Sequence, residues 1–197
     1  MRLFVAVDLT PEIRHHIATL IEGLRGFAPD VRWVAAASLH LTLKFIGESD
    51  QLETIRDALS AIESSPMEIS FRRAGFFPTP RAPRVFWIGV EADERLARLA
   101  NRIAEALASL GIAKETHAFT PHITLARIGS GRPQHNPQPR QSKDVPIQRF
   151  AVLQERLAAM PPPDLGTMTA REFFLYQSKT APSGAVYTKL ASFELKD

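Results

Sequence analysis

Along this chain the spacing of hydrophobic positions alternates between two periods. LFVAVDL, from Leu3 to Leu9, is apolar nearly throughout and predicts a buried strand. PEIRHHIATLIEGLRGF then opens on Pro11, suited to a first helical turn, and repeats Ile13, Ile17, Leu20, Ile21 and Leu24 at helical spacing. VRWVAAASLHLTLKFIGE, residues 31–48, is long enough for an extended entry followed by a strand. Gly47 to Asp50 form a break, and QLETIRDALSAIES resumes the helical period with Ser49 or Asp50 as the expected cap. β-branched and aromatic residues mark MEISFRRAGFF as a third strand, and the proline-rich FPTPRAPR reads as a loop leading into the strand VFWIGV.

From there the order starts again. ADERLARLANRIAEALASLG carries Leu96, Leu99, Ile103, Leu107 and Leu110 on one stripe and stops at Gly111. FTPHITLARIG predicts a strand, and the polar, proline-punctuated segment 129–146 a mobile surface loop. IQRFAVLQERLAAM predicts a short helix, PPPDLG a break, and TAREFFLYQS and GAVYTKLASFEL two closing strands. Both halves therefore read β-α-β-α-β, the second with one strand more.

Sliding the chain against itself by 82 residues places HLTLKFIG over HITLARIG, with identity at five of eight positions. The same shift superposes Phe4 on Phe86, Ile17 on Leu99 and Ile21 on Ile103. A register shared by a strand, a helix and a strand points to a duplicated supersecondary unit, and duplication to a pseudo-twofold axis. By strand alternation His40, Thr42, Lys44 and Ile46 share one face, with Leu39, Leu41, Leu43 and Phe45 on the other. His122, Thr124, Ala126 and Ile128 share the corresponding face of the second copy. A pseudo-twofold would turn both polar faces to one cleft. Two imidazoles there suit phosphate chemistry, one taking a proton from water and the other giving one to a leaving oxygen, because histidine titrates near neutrality. The two threonines can hold nonbridging oxygens.

The paired H-x-T-x motifs, His40 to Leu43 and His122 to Leu125, resemble the signature of the 2H phosphoesterase superfamily. Within it the chain is similar to the bacterial and archaeal RNA 2′,3′-cyclic phosphodiesterases, formerly called 2′-5′ RNA ligases. RLFVAVDL, VRWVAAASLHLTLKFIGE, PRVFWIGV, FTPHITLAR and FFLYQSKTAPSGAVYTKL extend the likeness over nearly the whole chain. The resemblance implies an α+β fold in which duplicated β-α-β-α-β units form two pseudo-symmetric lobes, with antiparallel sheets around a central cleft. The expected unit is one bilobal domain over residues 1–197, with a first repeat of about 1–80 and a second of about 83–197. It implies hydrolysis of a terminal RNA 2′,3′-cyclic phosphate to a 2′-phosphate, with His40 as general acid, His122 as general base, Thr42, Thr124 and Arg127 binding the phosphate, and no metal or cofactor. Strict alternation puts Arg127 opposite His122, so it reaches the cleft only if the strand ends or bulges nearby. Two readings compete: an RNA-end binding module without turnover, and a 2H enzyme acting on ADP-ribose cyclic phosphate or on 2′-5′ linkages.

Composition changes this picture little. The 24 Lys and Arg exceed the 21 Asp and Glu by three, a mild basic bias compatible with phosphate ligands. With no cysteine, disulfides, thiolate metal sites and a cysteine nucleophile are excluded. No 18-residue apolar span or signal-peptide core is present, so the expectation is a cytoplasmic monomer that needs no protein partner, its partner being an RNA end. Adjacent His15 and His16 lack the spacing of a helical metal pair and read as surface residues, as do His117 and His135 in loops. Lys44, Arg72, Arg73, Arg81 and Arg84 are candidate RNA contacts, and Trp33 and Phe4 candidate base-stacking residues, each otherwise a solvated or core side chain.

Overall fold

A computed structural model describes residues 1–129, 149–181 and 184–196. In chain order the elements are β1 (Arg2–Asp8), α1 (Pro11–Leu24), β2 (Arg32–Trp33), β3 (His40–Glu48), α2 (Leu52–Ser60), β4 (Met67–Thr79) and β5 (Ala82–Ala92). They continue as α3 (Glu94–Ala108), β6 (His122–Arg127), α4 (Ala151–Ala158), β7 (Asp164–Ala170), β8 (Glu172–Ala181) and β9 (Gly184–Glu194). The class is α+β with two antiparallel sheets, ordered β3-β1-β8-β9 and β2-β6-β5-β4-β7. Each sheet draws strands from both halves of the sequence. β2 and β4 cross to the second sheet, and β8 and β9 return to the first.

The long helices form where the sequence signals lie. Thr10 Oγ1 accepts from the Ile13 N–H ahead of Pro11, and Asp93 accepts from the Arg95 N–H at the start of α3, so each helix has one terminal donor satisfied by its cap. Ile13, Ile17, Ile21 and Leu24 of α1 and Leu96, Leu99, Ile103 and Leu107 of α3 are buried in one continuous core beneath both sheets. Each such side chain contributes about 1.5–3 kcal/mol of burial. Among the described residues no helix is long and apolar enough to cross a membrane, which says nothing of strands.

Several local expectations are corrected. FPTPRAPR is not a loop: β4 and β5 run through it as one hairpin, with Pro78 opposite Pro83 at a register irregularity that spares the ladder their missing N–H groups. α2 begins after Gln51 with no side-chain cap, while Ser49 Oγ accepts from the Gln51 N–H instead. PPPDLG yields to β7 from Asp164 onward, a strand on the edge of the second sheet. β6 starts only at His122 rather than at Phe119. The surface loop expected over 129–146 lies, beyond Gly129, outside the described residues, as does His135.

Candidate active site

The site is built on two strand pairs with the same irregularity. In β1–β3, Asp8, Val7 and Ala6 stand opposite His40, Leu41 and Thr42. The register then skips Leu43, and Val5 and Phe4 face Lys44 and Phe45. In β5–β6, Gly89, Ile88 and Trp87 stand opposite His122, Ile123 and Thr124. Leu125 is skipped, and Phe86 and Val85 face Ala126 and Arg127. Each motif strand thus carries a bulge immediately after its H-x-T, and a bulge reverses the parity of every later side chain.

This overturns part of the expected face pattern. Leu43 and Lys44 are both buried, as are Leu125 and Ala126, while Phe45 and Arg127 emerge on the opposite side. Arg127 therefore joins His122 and Thr124, with Nη2 donating to Thr124 Oγ1 at 3.3 Å. Lys44 leaves the His40 face: its Nζ is buried and donates to Ala113 O and Glu115 Oε2, both at 2.6 Å. The bulges also require a one-residue correction in the preceding strands. The pairing aligns Phe4 with Val85 rather than Phe86, so Phe4 lies in a small cluster with Ala6, Phe174 and Tyr176, whereas Phe86 lies in the main core.

Both imidazoles are held alike. His40 Nδ1 is 2.8 Å from Ser38 O, and His122 Nδ1 is 2.8 Å from Thr120 O. A carbonyl only accepts, so Nδ1 carries the proton and donates in each ring. Nε2 is left as the working atom of both, basic when the ring is neutral and acidic when it is charged. Burial pushes His40 below the ordinary imidazole value. The Ser38 carbonyl opposes that shift, the Arg127 charge adds to it, Asp8 opposes it, and Arg14 adds to it. Burial likewise pushes His122 down, opposed by the Thr120 carbonyl and reinforced by Arg127. Arg127 thus acts on both rings in the same direction, which ties the two motifs electrostatically.

The halves differ in what surrounds the rings. Phe4 lies 4.8 Å from the His40 ring and Tyr187 5.1 Å from it, and Phe4 stacks on Tyr176 at 5.1 Å. Phe77 stands edge-on to His122 at 4.9 Å, and Trp87 lies 6.5 Å away. Gly75 permits that indole position, since a Cβ there would come within 2.2 Å of Trp87. Opposite His40 stands Asp8, hydrogen-bonded to Arg14, to Lys189 at 2.6 Å and to the Leu9 N–H. Opposite His122 stands Gly89, with no charge at all. Neither Asp8 nor these rings were singled out from the sequence for such roles, Phe4 excepted. The only available signal was proximity of their strands to the motifs.

Of the other candidates, Trp33 donates Nε1 to Ala28 O at 3.0 Å and packs against Phe86, which removes it from any cleft. Arg72 bridges to Glu91 and Asp164, and Arg73 to Glu91. His16 Nδ1 bonds Leu165 O, and its neighbour His15 lies 6.3 Å away ring to ring. Among the described residues no three His, Cys, Asp or Glu side chains gather as a metal site. The two motif strands thus present two imidazoles with Nδ1 held by a carbonyl, two threonine hydroxyls and one guanidinium, groups that can donate to an anion.

The family description of the 2′-5′ RNA ligase superfamily matches residues 9–152. Among curated proteins, an RNA 2′,3′-cyclic phosphodiesterase of Archaeoglobus fulgidus is 35% identical over 98% of this chain and 100% of its own length. One from Methanothermobacter thermautotrophicus is 31% identical over 99% of each. Among solved structures, TT0787 of Thermus thermophilus has a TM-score of 0.76 at 30% identity, covering 100% of this chain and 98% of that one. E. coli LigT complexed with 3′-AMP has a TM-score of 0.75 at 29% identity over the same shares.

Proposed function

Since this chain belongs to the 2′-5′ RNA ligase superfamily, we propose that it is a phosphodiesterase that opens the 2′,3′-cyclic phosphate at an RNA end, using His40 and His122 without a metal. Water attacks phosphorus as His122 Nε2 takes its proton. The bond from phosphorus to the 3′ oxygen breaks, and that oxygen takes a proton from His40 Nε2, leaving a 2′-phosphate. Thr42 and Thr124 donate to nonbridging oxygens, and Arg127 offsets the charge that accumulates on them. In this reading the chain acts as a cytoplasmic monomer.

The observation that carries the reading is the repeated local build. Two H-x-T strands each fix Nδ1 to the carbonyl two residues back, leaving Nε2 available on both rings. The assignment of His40 as acid and His122 as base is the one the family resemblance implies. Asp8, paired opposite His40, favours its charged form against the burial that lowers it. The names of the relatives supply the substrate class.

The test is turnover of 2′,3′-cyclic AMP and of a cyclic-phosphate-ended oligoribonucleotide in excess chelator, with product identified by chromatography against 2′- and 3′-phosphate standards. A 2′-phosphate product from wild type, and none from His40→Ala or His122→Ala, is expected. Tight binding with no product would leave an RNA-end binder instead. Faster turnover of ADP-ribose cyclic phosphate than of either RNA-type substrate would move the enzyme to another substrate.

A further inference from the structure

Arg32 and Arg127 stand directly opposite one another across the β2–β6 pair, with Trp33 opposite Ala126 at the next step. Ala126 is buried and Trp33 packs against Phe86 of the main core. Strand alternation then turns both arginines to the other face, the one on which Arg127 meets Thr124 Oγ1. Like charges directly opposite on one face of a ladder repel. Among the described residues no carboxylate lies within ion-pair distance of either guanidinium. Arg72 and Arg73, on β4 of the same sheet, are by contrast matched to Glu91 and Asp164. Two unmatched cations side by side on the face of the motif are a surplus that bound anions would neutralise.

We infer that Arg32 binds a second phosphate, the 5′-phosphate of the nucleotide whose 2′,3′-cyclic phosphate reacts at His40 and His122, an inference that rests on the reaction proposed above. In RNA that group is the linkage to the rest of the chain, so its recognition selects a polynucleotide end over a free cyclic nucleotide. Arg127 serves the reacting phosphate from beside Thr124, and its charge reaches both imidazoles, whereas Arg32 shifts neither ring. Arg32 stands one strand farther out, about 4.8 Å between backbones, and its long side chain extends that reach. β2 is the edge of its sheet, so no further strand of the ladder crowds a chain that leaves the cleft there. A guanidinium meets phosphate oxygens with paired N–H donors, and a phosphate contact carries no sequence information. The subsite therefore adds affinity for RNA ends without dictating the terminal base.

The experiment compares kcat and KM for 2′,3′-cyclic AMP with those for its 5′-phosphorylated form, two substrates that differ only in the second phosphate. Wild type should prefer the 5′-phosphorylated substrate. Arg32→Gln should reduce that preference roughly 10-fold, chiefly through KM, with the 5′-hydroxyl substrate little changed. Arg32→Lys should keep part of the preference, and Arg98→Gln, which removes the same charge from the exposed side of α3, should keep all of it. As salt rises, log(1/KM) for the 5′-phosphorylated substrate should fall with a slope shallower by about 0.7 in Arg32→Gln than in wild type. Wild-type indifference to the 5′-phosphate, a preference unchanged in Arg32→Gln, or an equal loss on both substrates would each overturn the second-phosphate subsite. If wild type hydrolysed neither substrate, the proposed reaction would fail instead. Calorimetric titration with adenosine 2′,5′-bisphosphate would then decide the subsite separately, equal affinities for wild type and Arg32→Gln counting against it.

Discussion

Replacing Arg127 by Met tests whether one guanidinium serves both histidines. The side chain is on the His122 face only because Leu125 is skipped in the ladder, and its contact with Thr124 Oγ1 holds it beside the hydroxyl assigned to the phosphate. A hydrogen bond to a charged group is worth about 1.5–3 kcal/mol. One such contact to the reacting phosphate, lost in the transition state, predicts a fall in kcat/KM of roughly 10- to 150-fold. A second effect accompanies it. The Arg127 charge helps hold both imidazoles below their ordinary value, so its removal should raise both, and the pH optimum of kcat/KM should move upward. Steady-state hydrolysis of 2′,3′-cyclic AMP across pH 4.5–8.5 (a window of about two pH units on each side of the imidazole value of about 6.5) reads both, and NMR titration of the ring protons reads the second alone. Arg14→Met is the control, since Arg14 lowers His40 without a corresponding influence on His122. A slowed Arg127→Met enzyme with an unmoved optimum would show that the guanidinium does not act on the rings.

In wild type, burial depresses both histidines, so the bell-shaped kcat/KM profile should centre below about 6.5. His40→Ala and His122→Ala should each cost about 10²–10⁴-fold and flatten one limb, with the double variant scarcely worse than either. Asp8→Asn removes a charge that raises His40, so the falling limb should shift to lower pH while the rising limb stays in place. Lys44 is 2% exposed against 46% for Glu115, so Glu115→Ala, which strands a buried cation, should lower the thermal midpoint by several degrees, while Lys44→Met should be close to neutral by calorimetry. Because the unfolded chain binds more protons than the native one between the depressed histidine values and about 6.5, stability should fall as pH drops through that window, measurably less in His40→Gln.

The motif pair was legible because two copies in register single out His40, Thr42, His122 and Thr124 from ordinary strand residues. The bulges were not legible, since Leu43, Lys44, Leu125 and Ala126 include none of the Gly or Pro residues that usually mark irregular strands. Only the wrong parity of Arg127 hinted at one, and the same hint in Phe45 was masked because an apolar residue on an apolar face looks unremarkable. Prolines misled in the other direction: Pro78 and Pro83 read as loop but sit opposite one another at an irregular step of a hairpin. The crossing of β4 into the second sheet has no local signal, because which sheet a strand joins depends on distant partners rather than on its own composition.

The return of β8 to the first sheet has a consequence for synthesis. β1 lies between β3 and β8, so the strand that carries Asp8 has its second neighbour only when residues from Glu172 onward have left the ribosome. The second sheet is complete through β7 before then, with β6 and its histidine already paired to β5. Long-range pairing of this kind is slow to form, and an unpaired strand edge is exposed to other chains in the interval. On a translating ribosome the sheet that carries His122 therefore precedes completion of the sheet that carries His40, and a nascent chain that stops short of β8 presents the bare edge of β1.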